Sequence, residues 1–408
     1  MKCRHCHTLL RHIFLDLGTA PPSNSYLTQE NLNSPEKWFP LRILVCEFCW
    51  LVQTEDFAEP EAFFNADYAY FSGFSTTWLK HAEDYVQQMM VRFSLNKESK
   101  VIEVAANDGY LLQYFVSHHI PCLGIEPTAS TAVAARLKNI PIIEAFFGSK
   151  LAEKLVIEEG KANLMIANNV LAHVPDINDF VRGFSALLKP EGVATFEFPH
   201  LMAVKAGKQF DTIYHEHFSY LSFTTVNAIF NKNGLAIFDV ELLPTHGGSL
   251  RVFAQKQHEG KKLQSINVSK LLIVEKELGM QNLVYYSEFQ QSVEKLKNDF
   301  LFFLLKAKKE NKKVVGYGAA AKGNTLLNFA GIRTDLIDFI VDRNPAKQGK
   351  YMPGSRIKIV SQERLLKEKP DYIIIFPWNL SDEVMRQLSF IKEWGGHFVT
   401  AIPALKIE

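Results

Sequence analysis

The sequence lacks the features that mark membrane, secreted or nucleic-acid-binding chains. Its 408 residues include 45 Lys or Arg and 44 Asp or Glu, and the net charge of +1 excludes a globally basic surface for nucleic acid. No apolar run approaches the roughly 20 residues that a membrane-spanning helix needs. The first residues contain no hydrophobic secretory core, so we expect a cytoplasmic protein with neither a membrane nor a nucleic acid as partner.

Cysteine is also scarce, and four of the five cysteines fall into two pairs. In a cytosolic chain such pairs favour zinc over disulfides. Two turns can direct four thiolates at one cation, and four ligands leave no open coordination position. His5 and His7 stand close enough in sequence to replace one thiolate. We predict a structural Zn²⁺ site, and its ligands are Cys3, Cys6, Cys46 and Cys49.

Strands and helices alternate beyond a short, loop-rich and zinc-anchored N-terminal segment. Apolar runs predict buried parallel strands at 101–105, 122–125, 141–143, 162–167 and 192–198. Two more strands are expected at 235–240 and 249–254, and a second strand–glycine–helix unit opens at 313. The fold class is therefore α/β, with two Rossmann-like sheets behind the zinc-binding domain. The predicted domains are 1–66, 67–258 and 259–408.

The turn after the first strand is typical of a nucleotide site. It reads Glu103-Val104-Ala105-Ala106-Asn107-Asp108-Gly109. Gly109 allows a tight turn, and Glu126, at the end of the second strand, can accept hydrogen bonds from both ribose hydroxyls. The segment resembles the first motif of class I S-adenosylmethionine-dependent methyltransferases, although Ala105 and Asn107 replace two of its glycines. The resemblance implies further cofactor contacts at Phe146 and Asn168, which follow the third and fourth strands.

The densest polar cluster in the chain is Tyr214-His215-Glu216-His217-Phe218-Ser219-Tyr220. One interpretation is a metal site, but the spacing is not the helical HExxH pattern. General acid–base chemistry is favoured, because histidine titrates near neutrality and a neighbouring carboxylate can orient it. A third interpretation is that these side chains cap a surface helix.

The ordered set of motifs resembles one enzyme family over essentially the whole chain. The paired CxxC motifs, the Asn-Asp-Gly turn, the segment 173–176 (His-Val-Pro-Asp), the 214–220 string and a C-terminal Gly-x-Gly-x-x-Ala unit are similar to nucleotide-sugar C-methyltransferases. These enzymes methylate C3′ of a nucleoside-diphosphate-linked (NDP) 4-keto-6-deoxyhexose. The resemblance implies S-adenosylmethionine and structural zinc as cofactors and an NDP-sugar as substrate. It implies a general base at His217, a second acid or base at His173, and site-lining residues at Tyr214, Glu216 and Tyr68.

The C-terminal unit runs from Gly316 through Gly318 to Ala321, and Asp342 ends the next predicted strand. The motif alone permits a nicotinamide dinucleotide site, and hence an oxidoreductase. The family resemblance instead implies sugar-nucleotide binding. An inactive zinc-ribbon binding module is a third possibility, and we expect a monomer or weak homo-oligomer. The predicted substrate-binding residues are Arg251, which can reach either the diphosphate or an internal carboxylate, and Lys322, Gly323, Asn324, Trp378 and Asn379.

Overall fold

The structure is a computed structural model that describes residues 1–57 and 71–408. In these ranges the strands are β1 His12–Ala20, β2 Phe39–Val45, β3 Val52–Thr54, β4 Val101–Val104, β5 Cys122–Ile125, β6 Ile142–Ile143, β7 Ala162–Asn168, β8 Leu188–Pro199, β9 Ser219–Tyr220, β10 Leu235–Leu243, β11 Ser249–Lys256, β12 Val314–Tyr317, β13 Ile340–Val341, β14 Ile359–Val360, β15 Tyr372–Ile375, β16 His397–Thr400 and β17 Lys406–Ile407.

The α-helices lie mainly between strands. They are α1 Thr76–Arg92, α2 Leu112–Ser117, α3 Ala129–Arg136, α4 Ser149–Glu158, α5 Ile177–Leu187, α6 Leu201–Ala206, α7 Phe223–Lys232, α8 Ile266–Glu277, α9 Phe289–Lys309, α10 Ala321–Phe329, α11 Glu363–Glu368 and α12 Ser381–Gln387. No helix of the described residues is both long and apolar enough to span a bilayer.

The N-terminal segment is more ordered than its loop-rich sequence suggests. It forms an antiparallel sheet in the order β1-β2-β3-β9, whose last strand comes from the 214–220 string. Side chains along β2 alternate between two cores: Leu44 packs with the central domain, whereas Ile43 and Val45 pack with the C-terminal domain. Residues of this sheet thus pack against both larger domains.

The predicted strands of the central domain form a seven-stranded sheet in the order β10-β11-β8-β7-β4-β5-β6. Strands β8, β7, β4, β5 and β6 are parallel, and β11 and β10 are antiparallel to their neighbours. The strand order reverses at β4, so the loops after β4, β5 and β7 meet at one edge of the sheet. Ligands of open α/β sheets bind at such a point.

The C-terminal sheet has the order β14-β13-β12-β15-β16-β17, with only β17 antiparallel. This is the doubly wound order with its reversal at β12, the strand that carries the glycine motif. Helix α9 precedes it and buries an apolar stripe that includes Phe289, Val293 and Phe300. The proposed domain boundary at residue 258 falls between β11 and α8, and residue 66 lies outside the described ranges.

Candidate active site

The four paired cysteines converge as predicted. Their sulfur atoms all lie within 4.8 Å of one another, and Cys3 and Cys49, like Cys6 and Cys46, are 3.5 Å apart. Zinc–sulfur bonds of about 2.3 Å place the sulfurs of a tetrahedral site about 3.8 Å apart, so the cluster fits Zn²⁺. The His5 side chain forms a hydrogen bond with Asn178 at 2.8 Å, and the four cysteines complete the cluster without it.

The loop after β4 has the backbone of a glycine-rich loop with only one glycine. Ala105, Asn107 and Gly109 have φ angles of 60°, 50° and 72°, in the left-handed region that favours glycine. A side chain at Gly109 would meet the Ile140 side chain at 2.3 Å. Thus the first motif keeps its conformation although Ala105 and Asn107 replace glycines.

Partnerless polar atoms surround this loop. Both carboxylate oxygens of Glu103 and the side-chain oxygen of Asn168 are buried without a hydrogen-bond partner among the described residues. Such groups are costly unless a ligand satisfies them. Glu126 accepts the backbone N–H of Asn107 at 3.0 Å and that of Thr128 at 2.9 Å, so it braces the loop at the ribose position. These groups fit S-adenosylmethionine.

Other predicted cofactor residues lie around the same loop. Asp108 accepts the backbone N–H of Gly73 at 3.2 Å, which ties the loop to the segment before α1. Phe146 is 45% exposed beyond β6, whereas the neighbouring Phe147 packs against Phe180 and Phe184. Phe146 is therefore the aromatic side chain of this pair that remains open to an adenine ring.

His217 is oriented by the backbone. Its Nδ1 atom is 2.7 Å from the carbonyl oxygen of Thr212, so Nδ1 carries the proton and Nε2 is left with a lone pair. Its ring centroid lies 4.0 Å from that of Tyr214 and 4.5 Å from that of His173. Burial lowers the pKa of His217 well below its usual value, and the charges of His173 and Lys322 act in the same direction. Burial lowers the pKa of His173 to about 4.

The 214–220 string sends its side chains to different places. His215 is buried against the N-terminal sheet, 3.1 Å from the carbonyl oxygen of Pro40, while Glu216 contacts Asn24. The string forms a turn and strand β9, which contradicts the helix-cap interpretation. The four-cysteine site is the one metal-ligand cluster found in residues 1–57 and 71–408, so the metal interpretation of the string has no support there. Tyr68 lies outside the described residues.

Helix α10 brings the C-terminal domain against this turn. Thr325 donates to the carbonyl oxygen of Ile213 at 2.8 Å. Lys322 donates to Asn379 at 3.0 Å and lies 4.3 Å from the centre of the Trp378 ring, whose indole N–H donates to buried Asp211 at 2.7 Å. Lys322 thus places a cation at the start of α10, and its charge acts on His217.

A cleft of about 400 Å³ separates the central and C-terminal domains. One wall carries Trp78, His81 and His246, and the other carries Arg343, Lys347 and Asn379. Trp78 and His81 stack at 4.8 Å because their i, i+3 spacing places them on one face of α1. The i, i+3 pair on α1 and the cations after β13 are visible in the sequence, but neither forms a motif that marks a site.

Two predicted substrate-binding residues, Arg251 and Gly323, have close internal contacts. Arg251 is buried, and its guanidinium donates to Glu197 at 3.1 Å. Of the two partners that the sequence allows, the diphosphate or an internal carboxylate, the structure shows the carboxylate. Glu197 also contacts His81 at 2.9 Å and therefore supports the cleft wall. A side chain at Gly323 would meet Phe376 at 2.8 Å, which indicates close helix–strand packing. Asn324 is fully buried within α10.

Comparisons with known proteins cover the whole chain. Three family models match it: "Putative zinc binding domain" over 3–64, "Methyltransferase domain" over 78–240 and "C-methyltransferase C-terminal domain" over 244–403. The C-methyltransferase NovU of Streptomyces niveus is 32% identical over 393 residues, which are 96% of this chain and 93% of NovU.

Solved structures match a smaller share of the chain. An S-adenosylmethionine-dependent methyltransferase from Mesorhizobium loti is 16% identical, with a TM-score of 0.36 and coverage of 44% of this chain and 100% of its own. Magnesium protoporphyrin IX methyltransferase from Synechocystis PCC 6803, with bound S-adenosylmethionine, is 14% identical, with a TM-score of 0.34 and coverage of 44% and 79%.

Proposed function

Because the chain belongs to the C-methyltransferase family and is an S-adenosylmethionine-dependent enzyme with a zinc-binding domain, we propose that it methylates C3′ of an NDP-4-keto-6-deoxyhexose. The proposed product is a branched-chain deoxysugar nucleotide. The observation that carries this proposal is the orientation of His217, whose Nε2 faces away from the bond between Nδ1 and Thr212. A neutral imidazole held in one tautomer is suited to removing a proton from carbon.

The 4-keto group makes the neighbouring C3′–H acidic, because the electron pair left by the departing proton can move onto the carbonyl oxygen. In the proposed step, His217 Nε2 takes this proton and an enolate forms. S-adenosylmethionine supplies an electrophilic methyl group on a sulfonium. The enolate carbon forms the new C–C bond as the C–S bond breaks. The electron pair of the C–S bond stays on sulfur, which yields S-adenosylhomocysteine.

The surroundings of His217 fit the charge changes in this step. Burial lowers the pKa of His217 and the Lys322 ammonium adds to this effect, so the free base stays neutral, and the same positive charge favours a developing enolate. Once the anion forms, its charge favours the protonated imidazole. Tyr214 lies against the His217 ring and supplies a hydroxyl donor for the enolate oxygen in this proposal.

The cleft supports an NDP-sugar as the acceptor. Arg343 and Lys347 offer cations to a diphosphate, and Trp78 offers a flat apolar surface to a base or sugar. Asp342 also lines the cleft, and its two oxygens accept the backbone N–H groups of Ala319 at 2.7 Å and Asn344 at 2.8 Å, so it ties together the loops after β12 and β13.

Calorimetric titration of the zinc-loaded chain tests this assignment. We expect binding of S-adenosylhomocysteine and of at least one member of a panel of dTDP, GDP and CDP. Arg343→Ala should weaken only the nucleoside diphosphate, by about tenfold for one lost charged contact. Binding of NAD with no response to S-adenosylhomocysteine would instead support the oxidoreductase alternative.

A further inference from the structure

A residue of the N-terminal domain reaches the histidine-bearing turn. Asn24 lies between β1 and β2, after Pro21-Pro22-Ser23. Its side-chain nitrogen donates to both carboxylate oxygens of Glu216, at 2.8 Å and 2.9 Å. Glu216 immediately precedes His217 in the chain, so this contact acts directly on the backbone that carries the candidate base.

Glu216 depends on this contact because its carboxylate is buried, with 2% of the residue exposed. Burial raises its pKa to about 7, while hydrogen bonds from the side chain and backbone of Asn24 and the charge of Lys347 act in the opposite direction. Tyr26 also faces this group, and Asp342 lies 3.9 Å from the Lys347 ammonium. A buried carboxylate without its donor is expensive, so loss of Asn24 should displace Glu216.

Asn24 is itself held against the C-terminal domain. The Tyr26 hydroxyl donates to the carbonyl oxygen of Ala319 at 2.6 Å and lies 3.3 Å from the Asn24 side-chain oxygen. Lys347 donates to the same carbonyl at 2.9 Å. The contact between Asn24 and Glu216 therefore lies where all three domains meet, beside the loop that follows β12.

We propose that Asn24 is a positioning residue of the methyl-transfer site: it fixes Glu216 and thereby holds the turn that presents His217. This inference rests on the function proposed above. It gives the N-terminal domain a part in catalysis besides the zinc cluster, since Asn24 contacts the turn that carries His217.

Three variants test the proposal through the pH dependence of kcat. In Asn24→Asp, two carboxylates face each other and must share a proton, so the contact exists only at low pH. At high pH we expect the kcat of Asn24→Asp to be about tenfold below that of wild type, which corresponds to about 1.4 kcal/mol in the activation free energy. This kcat should recover as the pH falls. Asn24→Ala should lose activity without that recovery, and exposed Asn31→Asp should match wild type. The KM for S-adenosylmethionine should stay unchanged in all three.

The thermal unfolding midpoint provides a readout that needs no methyl acceptor. A shared proton in the folded Asn24→Asp chain stabilises it as the pH falls, so its stability deficit relative to wild type should shrink. In Asn24→Ala the displaced Glu216 carboxylate meets water and takes up no such proton, so that deficit should not shrink. Equal pH profiles for Asn24→Asp and Asn24→Ala, in activity and in stability, would overturn the positioning role. Wild-type inactivity towards every keto sugar would instead overturn the proposed function.

Discussion

The Nδ1 atom of His217 lies 2.7 Å from the carbonyl oxygen of Thr212. This contact fixes the proton on Nδ1 and leaves Nε2 as the basic atom. Since the same ring is buried and lies near the Lys322 charge, it stays neutral when the acceptor arrives. One backbone carbonyl thus orients this histidine for the role of base that we propose.

The first prediction concerns His217→Asn. An asparagine amide can still donate to Thr212 but offers no basic nitrogen, so we expect kcat to fall by about 10²–10⁴, the usual contribution of a general base. The affinity for S-adenosylhomocysteine, measured by calorimetry, should change less than about threefold, which corresponds to a change of about 0.7 kcal/mol in binding free energy. His215→Asn is the matched control in the same string. Wild-type kcat in His217→Asn would transfer the role of base to His173.

The second prediction uses two adjacent alanines after β4. Ala105 has a φ of 60°, whereas its buried neighbour Ala106 is not in the left-handed region. Ala105→Gly removes a backbone strain of roughly 1–2 kcal/mol. The extra freedom of glycine in the unfolded chain costs roughly 0.5–1 kcal/mol, so the free energy of unfolding should stay the same or rise. Ala106→Gly should cost about 1–2 kcal/mol through entropy and a lost buried methyl. Urea unfolding measures both, and equal losses would contradict the strained backbone.

The loop after β4 also illustrates what sequence reasoning can recover. The strands and their order of appearance follow from apolar runs with helices between them, and the cysteine pairs locate the metal cluster. The left-handed φ of Ala105 and Asn107 was not predictable, because neither residue type requires it. The N-terminal sheet was missed because β9, its fourth strand, comes from residues 219–220, far away in the chain.

The candidate site was only partly predictable for a related reason. Motifs locate His217 and Lys322, but long-range contacts decide what these side chains face. Arg251 had two possible partners in the sequence, and the antiparallel register that places it opposite Glu197 decides between them. Asn24 carries no motif of its own, and its contact with Glu216 spans 192 positions of the chain.

The third prediction links the zinc cluster to the site through Arg4, which follows Cys3. Its buried guanidinium donates to the carbonyl oxygens of Phe218 at 3.3 Å and Thr54 at 2.9 Å and pairs with Asp56. A lysine is a single point charge and cannot span these three partners. Arg4→Lys should therefore lower kcat about tenfold, equivalent to about 1.4 kcal/mol, because the strand after His217 loses its anchor.

Metal content separates this effect from zinc loss. The zinc stoichiometry of Arg4→Lys, measured by mass spectrometry of the metal, should equal that of wild type, because all four thiolates remain. Arg42→Lys is the matched control, since Arg42 pairs with Glu55 in the same sheet but is more exposed. Reduced zinc in Arg4→Lys, or an equal loss of kcat in Arg42→Lys, would contradict the anchoring role.

The fourth prediction concerns acid stability. The pKa of His173 is about 4 in the folded chain, below its ordinary value of 6.5, so the unfolded chain binds more protons between those values. Its neutral ring therefore supports folding above pH 6.5, and this support is lost as the pH falls towards 4. Replacing it with Asn removes the penalty, and the stability of His173→Asn relative to wild type should rise by up to about 3 kcal/mol over that window.

Urea titrations at several pH values check this difference. The exposed His118→Asn variant is the control and should stay parallel to wild type, because its side chain meets solvent in both states. A pH-independent difference between His173→Asn and wild type would mean that the His173 ring is not held neutral by burial.

The most direct test of carbon methylation is NMR of the product made in D₂O from a ¹³C-methyl donor and a panel of NDP-4-keto-6-deoxyhexoses. The account predicts a labelled methyl carbon bonded to C3′ with wild type. With His217→Asn it predicts neither the product nor deuterium at C3′. A label bonded to oxygen or nitrogen, or no transfer to any 4-keto sugar while S-adenosylhomocysteine still binds, would contradict it.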